Sequence, residues 1–351
     1  MILKFVTAIF SSFFVSWVLT PITRNFFIAK GWVENPEKKQ LKTHNATATA
    51  SVPRGGGIPI FFGITFSALL FLPPDKHLVF ILLSSILTLI VGVFDDIKDV
   101  NPKTRLLTNI VAALLVVSSG IGIAYISNPL GGIIDLSTLK INFDLLGPHS
   151  IWVISDLLAV FWIVWCMNSV GWAAGVEGQL PGFAGISAIF IGILGLRYAT
   201  DVTQWPVIIL AGAVAGAYLG FLPYNFYPQS IMPGYSGKSL AGLLLAVLSI
   251  LSGAKLATLI FLLGIPMLDG LYVLTKRIID HRPIFVSDGS HFHHRLLRLG
   301  WSRRKISVFY WAISLLLGII SLFLNSQQKM YVFVGVALLF FGSLIQLSRR
   351  T

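Results

Sequence analysis

Long runs of apolar residues recur along the chain and alternate with short polar segments. Many of these runs are long enough for a helix to cross the hydrocarbon core of a membrane. Eleven spans are predicted, at about 2–20, 56–72, 78–94, 106–126, 151–167, 182–198, 206–223, 239–252, 256–274, 306–323 and 331–347. We therefore expect an all-α fold, a polytopic membrane helical bundle that forms one domain over residues 1–351.

The distribution of Lys and Arg predicts how the bundle is oriented. Most of the 26 cations lie in the polar segments 21–55, 95–105, 168–181, 224–238, 275–305 and 348–351. The opposite side holds only Lys4, Lys76, Lys140, Arg197, Lys255 and Lys329. By the positive-inside rule the first group is cytoplasmic, so the N-terminus is expected outside and the C-terminus inside.

Composition narrows the class of protein further. Hydrophobic residues make up 55% of the chain and charged residues 11%, which excludes a pair of soluble domains. The net charge of +12 lies in loops between spans, where it favours anionic lipid head groups or phosphates over nucleic acid. Cys166 is the single cysteine and cannot pair within the chain. The first apolar run has no charged leader, so we interpret it as a retained span.

An acidic stretch at the end of the third predicted span is the strongest local signal. Asp95 and Asp96 directly follow an apolar run, and Asp99 comes three residues later. Ionised carboxylates at a membrane boundary are costly unless water, a cation or a function accounts for them. The alternative is a solvated end of the span followed by the ordinary turn Asn101-Pro102.

Two glycine-rich cytoplasmic segments accompany it. In segment 38–57, Gly55-Gly56-Gly57 precedes a span, where exposed N–H groups would admit an anion, although taken alone the segment favours a flexible turn. Segment 168–182 is rich in glycine and carries Glu177, which the alternative treats as merely hydrated. On the outer side, residues 127–150 predict a small hairpin.

Two further cytoplasmic segments carry cations. In segment 224–239, Gly237-Lys238-Ser239 resembles part of a phosphate-binding P-loop, but Met232 stands where the leading glycine is required and no strand precedes it. Segment 275–305 contains His291, His293 and His294 among many cations. These cations disfavour a metal site and favour an anion, of which diphosphate is the obvious one. A basic loop on lipid head groups is the alternative.

Together these motifs resemble the polyprenyl-phosphate N-acetylhexosamine-1-phosphate transferases, the MraY/WecA/TagO superfamily. The His-x-His-His-Arg-Leu-Leu form is similar to the WecA/TagO branch. The matching segments follow the family's order and are Pro53-Arg54-Gly55-Gly56, Gly92-Val93-Phe94-Asp95-Asp96, Gly220-Phe221-Leu222 with Asn225 and Pro228, Pro266-Met267-Leu268-Asp269, and His291-Phe292-His293-His294-Arg295-Leu296-Leu297 with Gly300.

The resemblance implies transfer of a sugar-1-phosphate from a UDP-sugar to polyprenyl phosphate, with release of UMP, at the cytoplasmic face of the inner cell membrane. Such a reaction initiates cell-envelope glycan synthesis. Asp95 and Asp96 would be catalytic and lie beside the lipid phosphate. His291, His293, His294 and Arg295 would hold substrate phosphates. Further implied substrate-binding residues are Arg54, Lys103, Asn168, Glu177, Asn225, Lys238 and Asp269. Magnesium would neutralise the diphosphate, with Asp96 and Glu177 as candidate ligands.

The chain departs from the family at the expected magnesium ligands. Positions where the family carries Asp hold Ala174 and Tyr235, and a further Asp is lengthened to Glu177. Neither alanine nor a neutral phenol replaces a carboxylate as a magnesium ligand. We therefore hypothesise that, if the enzyme is active, Lys238 performs some or all of the metal's electrostatic work.

Two other functions remain open from the sequence. A catalytically silent paralogue would bind lipid phosphate or a nucleotide-sugar as a regulator or scaffold, and the changes at Ala174 and Tyr235 favour it. A transporter has little support, because its ionisable groups should line a path through the membrane rather than crowd one side. A homodimer is compatible with the sequence, which does not decide the oligomeric state.

Overall fold

The computed structural model describes residues 1–34, 51–128, 131–144, 148–252, 255–283 and 289–348. Its helices are α1 (Ile2–Ala29), α2 (Gly57–Phe71), α3 (Lys76–Lys98), α4 (Pro102–Ser118), α5 (Val153–Ala173), α6 (Gln179–Leu196), α7 (Trp205–Asn225), α8 (Gly234–Leu251), α9 (Lys255–Leu262), α10 (Gly264–Ile279), α11 (Phe292–Arg298), α12 (Arg303–Phe323) and α13 (Ser326–Ser348). One 3₁₀ turn, Val202–Gln204, precedes α7.

The polytopic helical fold is confirmed. Within the described residues, eight helices are long and apolar enough to cross a membrane, and α9 with α10 makes a ninth if that bent pair counts as one span. The helices α2 and α4 coincide with two further predicted spans but are shorter, with 15 and 17 residues. The count of eleven and the sides of the two termini remain predictions.

Two predicted spans have different boundaries in the structure. The span expected at 106–126 ends as a helix at Ser118, and Gly120 then adopts a positive φ of 99°. The span expected at 256–274 is broken at Leu263, where the two helices meet at 82°. Pro266 explains the break, because its ring would clash with the carbonyl four residues earlier and it has no N–H to donate.

Short antiparallel strand pairs close several connections. The strands β1 (Val33–Glu34) and β2 (Val52–Pro53) pair beyond the C-terminal end of α1. The hairpin expected within 127–150 is present as two pairs, β3 (Tyr125–Ser127) with β4 (Ile133–Asp135) and β5 (Lys140–Asp144) with β6 (Pro148–Trp152). The first of these pairs begins two residues earlier than expected.

Small residues set how closely the helices approach. A Cβ atom at Gly216 would lie 2.1 Å from the backbone oxygen of Ile9, and one at Gly220 would lie 2.3 Å from that of Phe13. The backbones of α1 and α7 therefore touch directly, as small residues permit inside a membrane. The hydroxyl of Ser12 donates to the carbonyl of Ala213 across this contact, at 2.6 Å.

Glycines likewise allow α2 and α3 to pack closely against the start of α8. A Cβ atom at Gly57 would lie 2.3 Å from the hydroxyl of Ser236, and one at Gly92 would lie 2.4 Å from the Cα atom of Ser236. The C-terminal turn of α3, with its aspartates, is thereby held at the N-terminal turn of α8.

Candidate active site

The paired aspartates lie at the end of α3 and are almost fully enclosed. Asp95 is 0% exposed and Asp96 is 6% exposed. The helix ends at Lys98 because Asp99 adopts a left-handed conformation, with φ of 52°. Asn101 then caps α4 by accepting a hydrogen bond from the backbone N–H of Lys103, at 2.9 Å. The tight turn places both carboxylates inside the protein instead of in solvent.

Asp96 caps the N-terminus of α8 from another helix. Its carboxylate accepts hydrogen bonds from the backbone N–H of Tyr235 at 2.6 Å, from the hydroxyl of Ser236 at 2.6 Å and from the backbone N–H of Ser236 at 3.3 Å. Gly234, with φ of 67°, allows this approach, because a Cβ there would lie 2.2 Å from the carboxylate. Asp96 therefore fixes where α8 begins.

Asp95 is held by a different set of donors. The guanidinium of Arg105 and the backbone N–H of Val100 both donate to its Oδ1 atom. Its Oδ2 atom has only a long contact, at 3.5 Å, with the guanidinium of Arg54. Among the carboxylate oxygens of Asp95 and Asp96, Oδ2 of Asp95 has the weakest described contact.

Arg54 lies between four carboxylates. Its guanidinium is 2.7 Å from Asp99, 3.4 Å from Glu34, 3.5 Å from Asp95 and 3.6 Å from Asp96. Burial lowers the pKa of Arg54, but the negative charges of Asp96 and Glu34 raise it, and the pKa lies above its ordinary value. The strand pair β1–β2 positions this arginine, which is predicted to bind substrate and is here the counter-ion of the aspartates.

The glycines beside Arg54 serve packing more than anion binding. A Cβ at Gly55 would lie 2.5 Å from the ring of Phe27, and one at Gly56 would lie 2.6 Å from the carbonyl of Met232. The N–H of Gly56 also donates to that carbonyl, at 3.0 Å. The structure therefore corrects the expectation that this N–H is exposed for an anion. Residues 38–50 of the same segment lie outside the described residues.

Tyr235 stands where the family carries a carboxylate. Its hydroxyl donates to the side-chain oxygen of Asn109 at 2.9 Å and contacts the carbonyl of Arg105 at 3.2 Å. The guanidinium of Arg105 lies 5.2 Å from the centre of the tyrosine ring. A cation–π contact of this kind stabilises a guanidinium beside an aromatic face, so Tyr235 positions the arginine that holds Asp95.

The histidines form a second cluster at the start of α11. Asp269 of α10 accepts from the backbone N–H of Phe292 at 2.8 Å, and its other oxygen lies 3.0 Å from Nδ1 of His291. The ring of His291 stacks on that of His293, with centroids 5.9 Å apart, and the ring of His294 follows at 4.3 Å from His293. The predicted site residue Asp269 therefore caps the helix and orients its first histidine.

His293 is the most enclosed member of this cluster. It is 2% exposed, and its Nδ1 atom has no hydrogen-bond partner within the described residues. A Cβ at Gly175 would lie 1.8 Å from its Nε2 atom, so the glycine-rich segment lies directly against the ring. Burial, followed by the charges of His294, His291 and Lys238, holds the pKa of His293 well below its ordinary value. Lys238 of α8 thus acts on the histidine cluster.

Glu177 is buried and paired with a cation of α12. It is 3% exposed, and the guanidinium of Arg303 on α12 pairs with its Oε1 atom. Its Oε2 atom has no hydrogen-bond partner within the described residues. The hydroxyl of Ser307 donates to its backbone carbonyl. This geometry ties the glycine-rich segment to α12 and does not match the predicted role as a metal ligand.

Two asparagines predicted to bind substrate have hydrogen bonds within the protein, and their role with substrate remains a prediction. Asn225 is 2% exposed. It accepts from the backbone N–H of Gly178 at 3.0 Å and donates to the carbonyl of Ile231, also at 3.0 Å. Asn168 donates to the carbonyl of Val164 at 2.7 Å, one turn earlier in α5. Asn225 therefore joins the glycine-rich segment to the loop before α8.

The remaining predicted site residues differ in exposure. Arg295 is 6% exposed, donates to the carbonyl of Ser290 at 3.1 Å and lies 5.0 Å from the ring centre of Tyr272. Lys238 is half-buried, and Lys103 is exposed. Residues 284–288, which precede the histidines in segment 275–305, lie outside the described residues.

The donors present do not fit a magnesium ion of the family's kind. No group of three or more His, Cys, Asp or Glu residues in the described part of the chain could hold a metal ion. Asp96 caps α8, Asp269 caps α11, and one oxygen of Glu177 pairs with Arg303. Magnesium is usually held by one or two carboxylates together with water and substrate phosphates, and at two of the positions where the resemblance implies a carboxylate this chain has Ala174 and Tyr235. We therefore derive no step of the reaction through magnesium.

The sequence did not predict that Arg105 and Arg303 pair with carboxylates. Arg105 is ten residues from Asp95, a spacing that matches neither a helix nor a strand, and the turn at Asp99 closes the distance. Arg303 is one of many cations in segment 275–305, and nothing in its surroundings marks it as the partner of Glu177. Both contacts depend on tertiary structure.

Comparison with known proteins adds relatives over most of the chain. A probable undecaprenyl-phosphate N-acetylglucosaminyl 1-phosphate transferase of Bacillus subtilis is 28% identical over 331 residues, covering 92% of this chain and 86% of the relative. A decaprenyl-phosphate N-acetylglucosaminephosphotransferase of Mycobacterium tuberculosis H37Rv is 27% identical over 332 residues, covering 85% and 79%. A phospho-N-acetylmuramoyl-pentapeptide-transferase of Moorella thermoacetica is 27% identical over 288 residues, covering 79% and 85%.

The family match covers the centre of the chain. Residues 78–253 match the model of glycosyl transferase family 4. These residues run from α3, which carries the aspartates, through α8, which Asp96 caps. With the aspartates, Lys238 and the histidines placed around the first turns of α8, this match shows that the protein is a multi-pass membrane member of glycosyl transferase family 4.

Proposed function

We propose that the protein transfers a sugar-1-phosphate from a UDP-linked amino sugar to polyprenyl phosphate and releases UMP. The relatives named as N-acetylglucosaminyl-phosphate transferases support an N-acetylhexosamine as the sugar. Their printed names also support a polyprenyl phosphate as acceptor. We place the reaction at the cytoplasmic face of the inner membrane, where the excess of Lys and Arg predicts the inner side to be.

The observation that carries this proposal is the position of α8 between the two clusters. Its first residues, Tyr235 and Ser236, bind Asp96, and Asn225 joins the loop before α8 to the glycine-rich segment that lies against His293. A reaction between two phosphate-bearing substrates needs both held in one orientation. An element shared by the aspartates and the histidines provides that arrangement.

The bond changes follow from the substrates. A lipid-phosphate oxygen forms a bond to the β-phosphorus of the UDP-sugar, and the bond from this phosphorus to the bridging oxygen breaks. The bridging oxygen leaves with the electron pair on UMP, and the sugar stays on the new lipid diphosphate. Charge accumulates on the leaving oxygen, so cations beside the diphosphate are the main requirement for catalysis.

The two aspartates have different roles in this proposal. Both oxygens of Asp96 are occupied by α8, so Asp96 maintains the shape of the site. The weakly bound Oδ2 atom of Asp95 is the oxygen to which we assign contact with the lipid phosphate or its proton. His291, His293 and Arg295 are assigned to the diphosphate of the nucleotide-sugar.

A direct assay tests the proposal. Purified protein is incubated with undecaprenyl phosphate and a panel of UDP-N-acetylhexosamines, and UMP and lipid-linked sugar are measured. We expect stoichiometric formation of both with at least one sugar, and loss of both in Asp95→Asn. Binding of UDP-sugars without any product, for every sugar tested, would contradict the proposal and identify a catalytically silent relative.

A further inference from the structure

The aspartate cluster, consisting of Glu34, Asp95, Asp96, Asp99, Arg54 and Arg105, satisfies its carboxylates with protein groups. Arg54 contacts all four acids and Arg105 pairs with Asp95. Asp96 also accepts three hydrogen bonds from α8. A magnesium ion at Asp96 would have to displace the start of α8, and one at Oδ2 of Asp95 would compete with the guanidinium of Arg54.

The replacement at position 235 reinforces this arrangement. A carboxylate in the family's place would add negative charge beside Asp96, whereas Tyr235 adds a neutral ring. That ring lies against Arg105, which in turn binds Asp95. A neutral ring therefore stands at position 235, and the guanidinium of Arg105 lies between it and Asp95.

Lys238 lies one turn further along α8 than Tyr235. Lys238 is half-buried, and its charge lowers the pKa of the buried ring of His293. Residues three apart on a helix lie on neighbouring positions of one face, so Tyr235 and Lys238 occupy adjacent positions facing the site. Lys238 is thus placed to bring positive charge to the cluster assigned to the diphosphate.

From these contacts we propose that this protein is a metal-independent member of its family, in which Lys238 neutralises the diphosphate of the nucleotide-sugar while Arg105, packed on Tyr235, holds Asp95 in place. This inference rests on the proposed transfer for its reaction, but its binding part holds for any diphosphate ligand. Lys238 is the group that touches substrate, and Arg105 is a positioning residue. The bond changes are those given above, with charge on the leaving UMP oxygen balanced by the lysine.

The test measures UDP binding and UMP release separately. Full-length protein in detergent is titrated with UDP by calorimetry in EDTA and in magnesium chloride, and UMP release is followed in both. We expect UDP affinity and UMP release in EDTA to remain within about twofold of their values in magnesium. Loss of both in EDTA, with recovery on adding magnesium, would overturn the inference.

Matched variants assign the charge. Lys238→Ala is expected to weaken UDP binding in EDTA about tenfold, the loss of one charge-assisted contact, and Lys238→Arg is expected to recover part of it. Lys30→Ala removes an exposed cation at the end of α1 and is the control. Thermal unfolding verifies that each variant is folded. Binding in EDTA that does not change in Lys238→Ala would overturn the assignment to this lysine.

The position of Arg105 has its own readout. Arg105→Lys keeps the charge but loses the planar group that lies on Tyr235. We expect kcat to fall at least about tenfold while UDP affinity stays within about twofold, because Asp95 and not the diphosphate site is disturbed. An equal loss in UDP affinity would overturn its assignment as a positioning residue.

The two tests fail in distinguishable ways. If no UMP is released under any condition, the transfer is wrong, yet UDP binding in EDTA that depends on Lys238 still supports the cation site. If UMP is released only with magnesium, the transfer stands and the metal-independent mechanism is wrong.

Discussion

The aspartate cluster and the histidine cluster, consisting of His291, His293, His294 and Asp269, lie on either side of the start of α8 and differ in how completely they are paired. In the first, four carboxylates face two guanidiniums, and each carboxylate has at least one oxygen in contact with a cation. In the second, Nδ1 of the buried His293 has no partner within the described residues.

The difference in charge between the clusters indicates where each substrate group belongs. The aspartate cluster holds four acids and two guanidiniums, so it is a less favourable site for a diphosphate than the histidine cluster. The histidine cluster has one carboxylate, Asp269, and lies near Lys238 and Arg295. This difference supports our proposal that the diphosphate binds at the histidine cluster, while the aspartate cluster sets the position of α8.

The largest expected effect comes from Asp96→Asn. The amide would place a donor against the N–H groups of Tyr235 and Ser236 and leave Arg54 with less compensation. Breaking a buried pair of this kind costs about 3 kcal/mol, and a shifted α8 should lower UMP release at least about 100-fold. Thermal unfolding in detergent and the UMP assay measure both effects.

Ser236→Ala is the matched control for that substitution. It removes only one of the hydrogen bonds to Asp96 and keeps its charge, so a loss of about 1 kcal/mol is expected. Equal stability of Asp96→Asn and wild type would show that α8 does not depend on this cap.

A substitution on the histidine side gives a comparable loss of activity with less loss of stability. In Gly175→Ala the new methyl group would overlap the ring of His293, which must move. Displacing a binding group by about 1 Å costs roughly 100-fold in rate, so UMP release should fall by that factor and UDP binding should weaken. Both are measured on protein whose unfolding temperature is known.

Gly171→Ala provides the comparison for Gly175→Ala. Gly171 lies in α5 near the same segment, and a Cβ there meets nothing within 4 Å among the described residues. Activity should stay within about twofold of wild type, since alanine is favoured in a helix. Equal losses in both variants would mean that the glycine-rich segment, and not the position of His293, is what activity requires.

Substitutions at Glu177 and Arg303 are expected to have a smaller effect. They distinguish a structural role of this pair from a role in the reaction. Arg303→Met would leave the Glu177 carboxylate buried without its partner, at a cost of about 2 kcal/mol. Glu177→Gln combined with Arg303→Met should recover at least about 1 kcal/mol of that loss. A double-mutant cycle on unfolding measures the coupling. If Glu177→Gln lowered activity without changing stability, Glu177 would have a direct role in the reaction.

The fold could be predicted from the sequence because membrane spans are long apolar runs. Asp95 and Asp96 could be predicted as site residues for the same reason, since carboxylates at the end of such a run are unusual. The residues that contact them could not be predicted from the sequence. Arg105 reaches Asp95 only after the left-handed turn at Asp99, and Tyr235 matters through its backbone N–H, which any residue but proline supplies.

The roles of several polar residues also depended on the structure. Asn225 and Glu177 occupy motif positions, yet their contacts tie loops together. The break at Leu263 lies inside a continuous apolar run, where hydropathy gives no signal and only Pro266 indicates it. A residue type at a motif position does not distinguish a ligand-binding group from one that supports the loop around it.

The smallest expected effect is a pH dependence that originates in the histidine cluster. The pKa of His293 is low in the folded protein because of burial and the charges of His294, His291 and Lys238, whereas the unfolded chain has the ordinary value. Below about pH 6.5 the unfolded state therefore binds a proton that the folded state does not, and stability falls by up to about 1.4 kcal/mol per pH unit. Above that pH the full stability is present.

Unfolding temperatures of His293→Gln measured from pH 7.5 to 5.5 should vary less than those of wild type. His281→Gln, which removes an exposed histidine, should keep the wild-type slope. Parallel slopes in wild type and His293→Gln would place the acid-sensitive group elsewhere, and the aspartate cluster would be the next candidate.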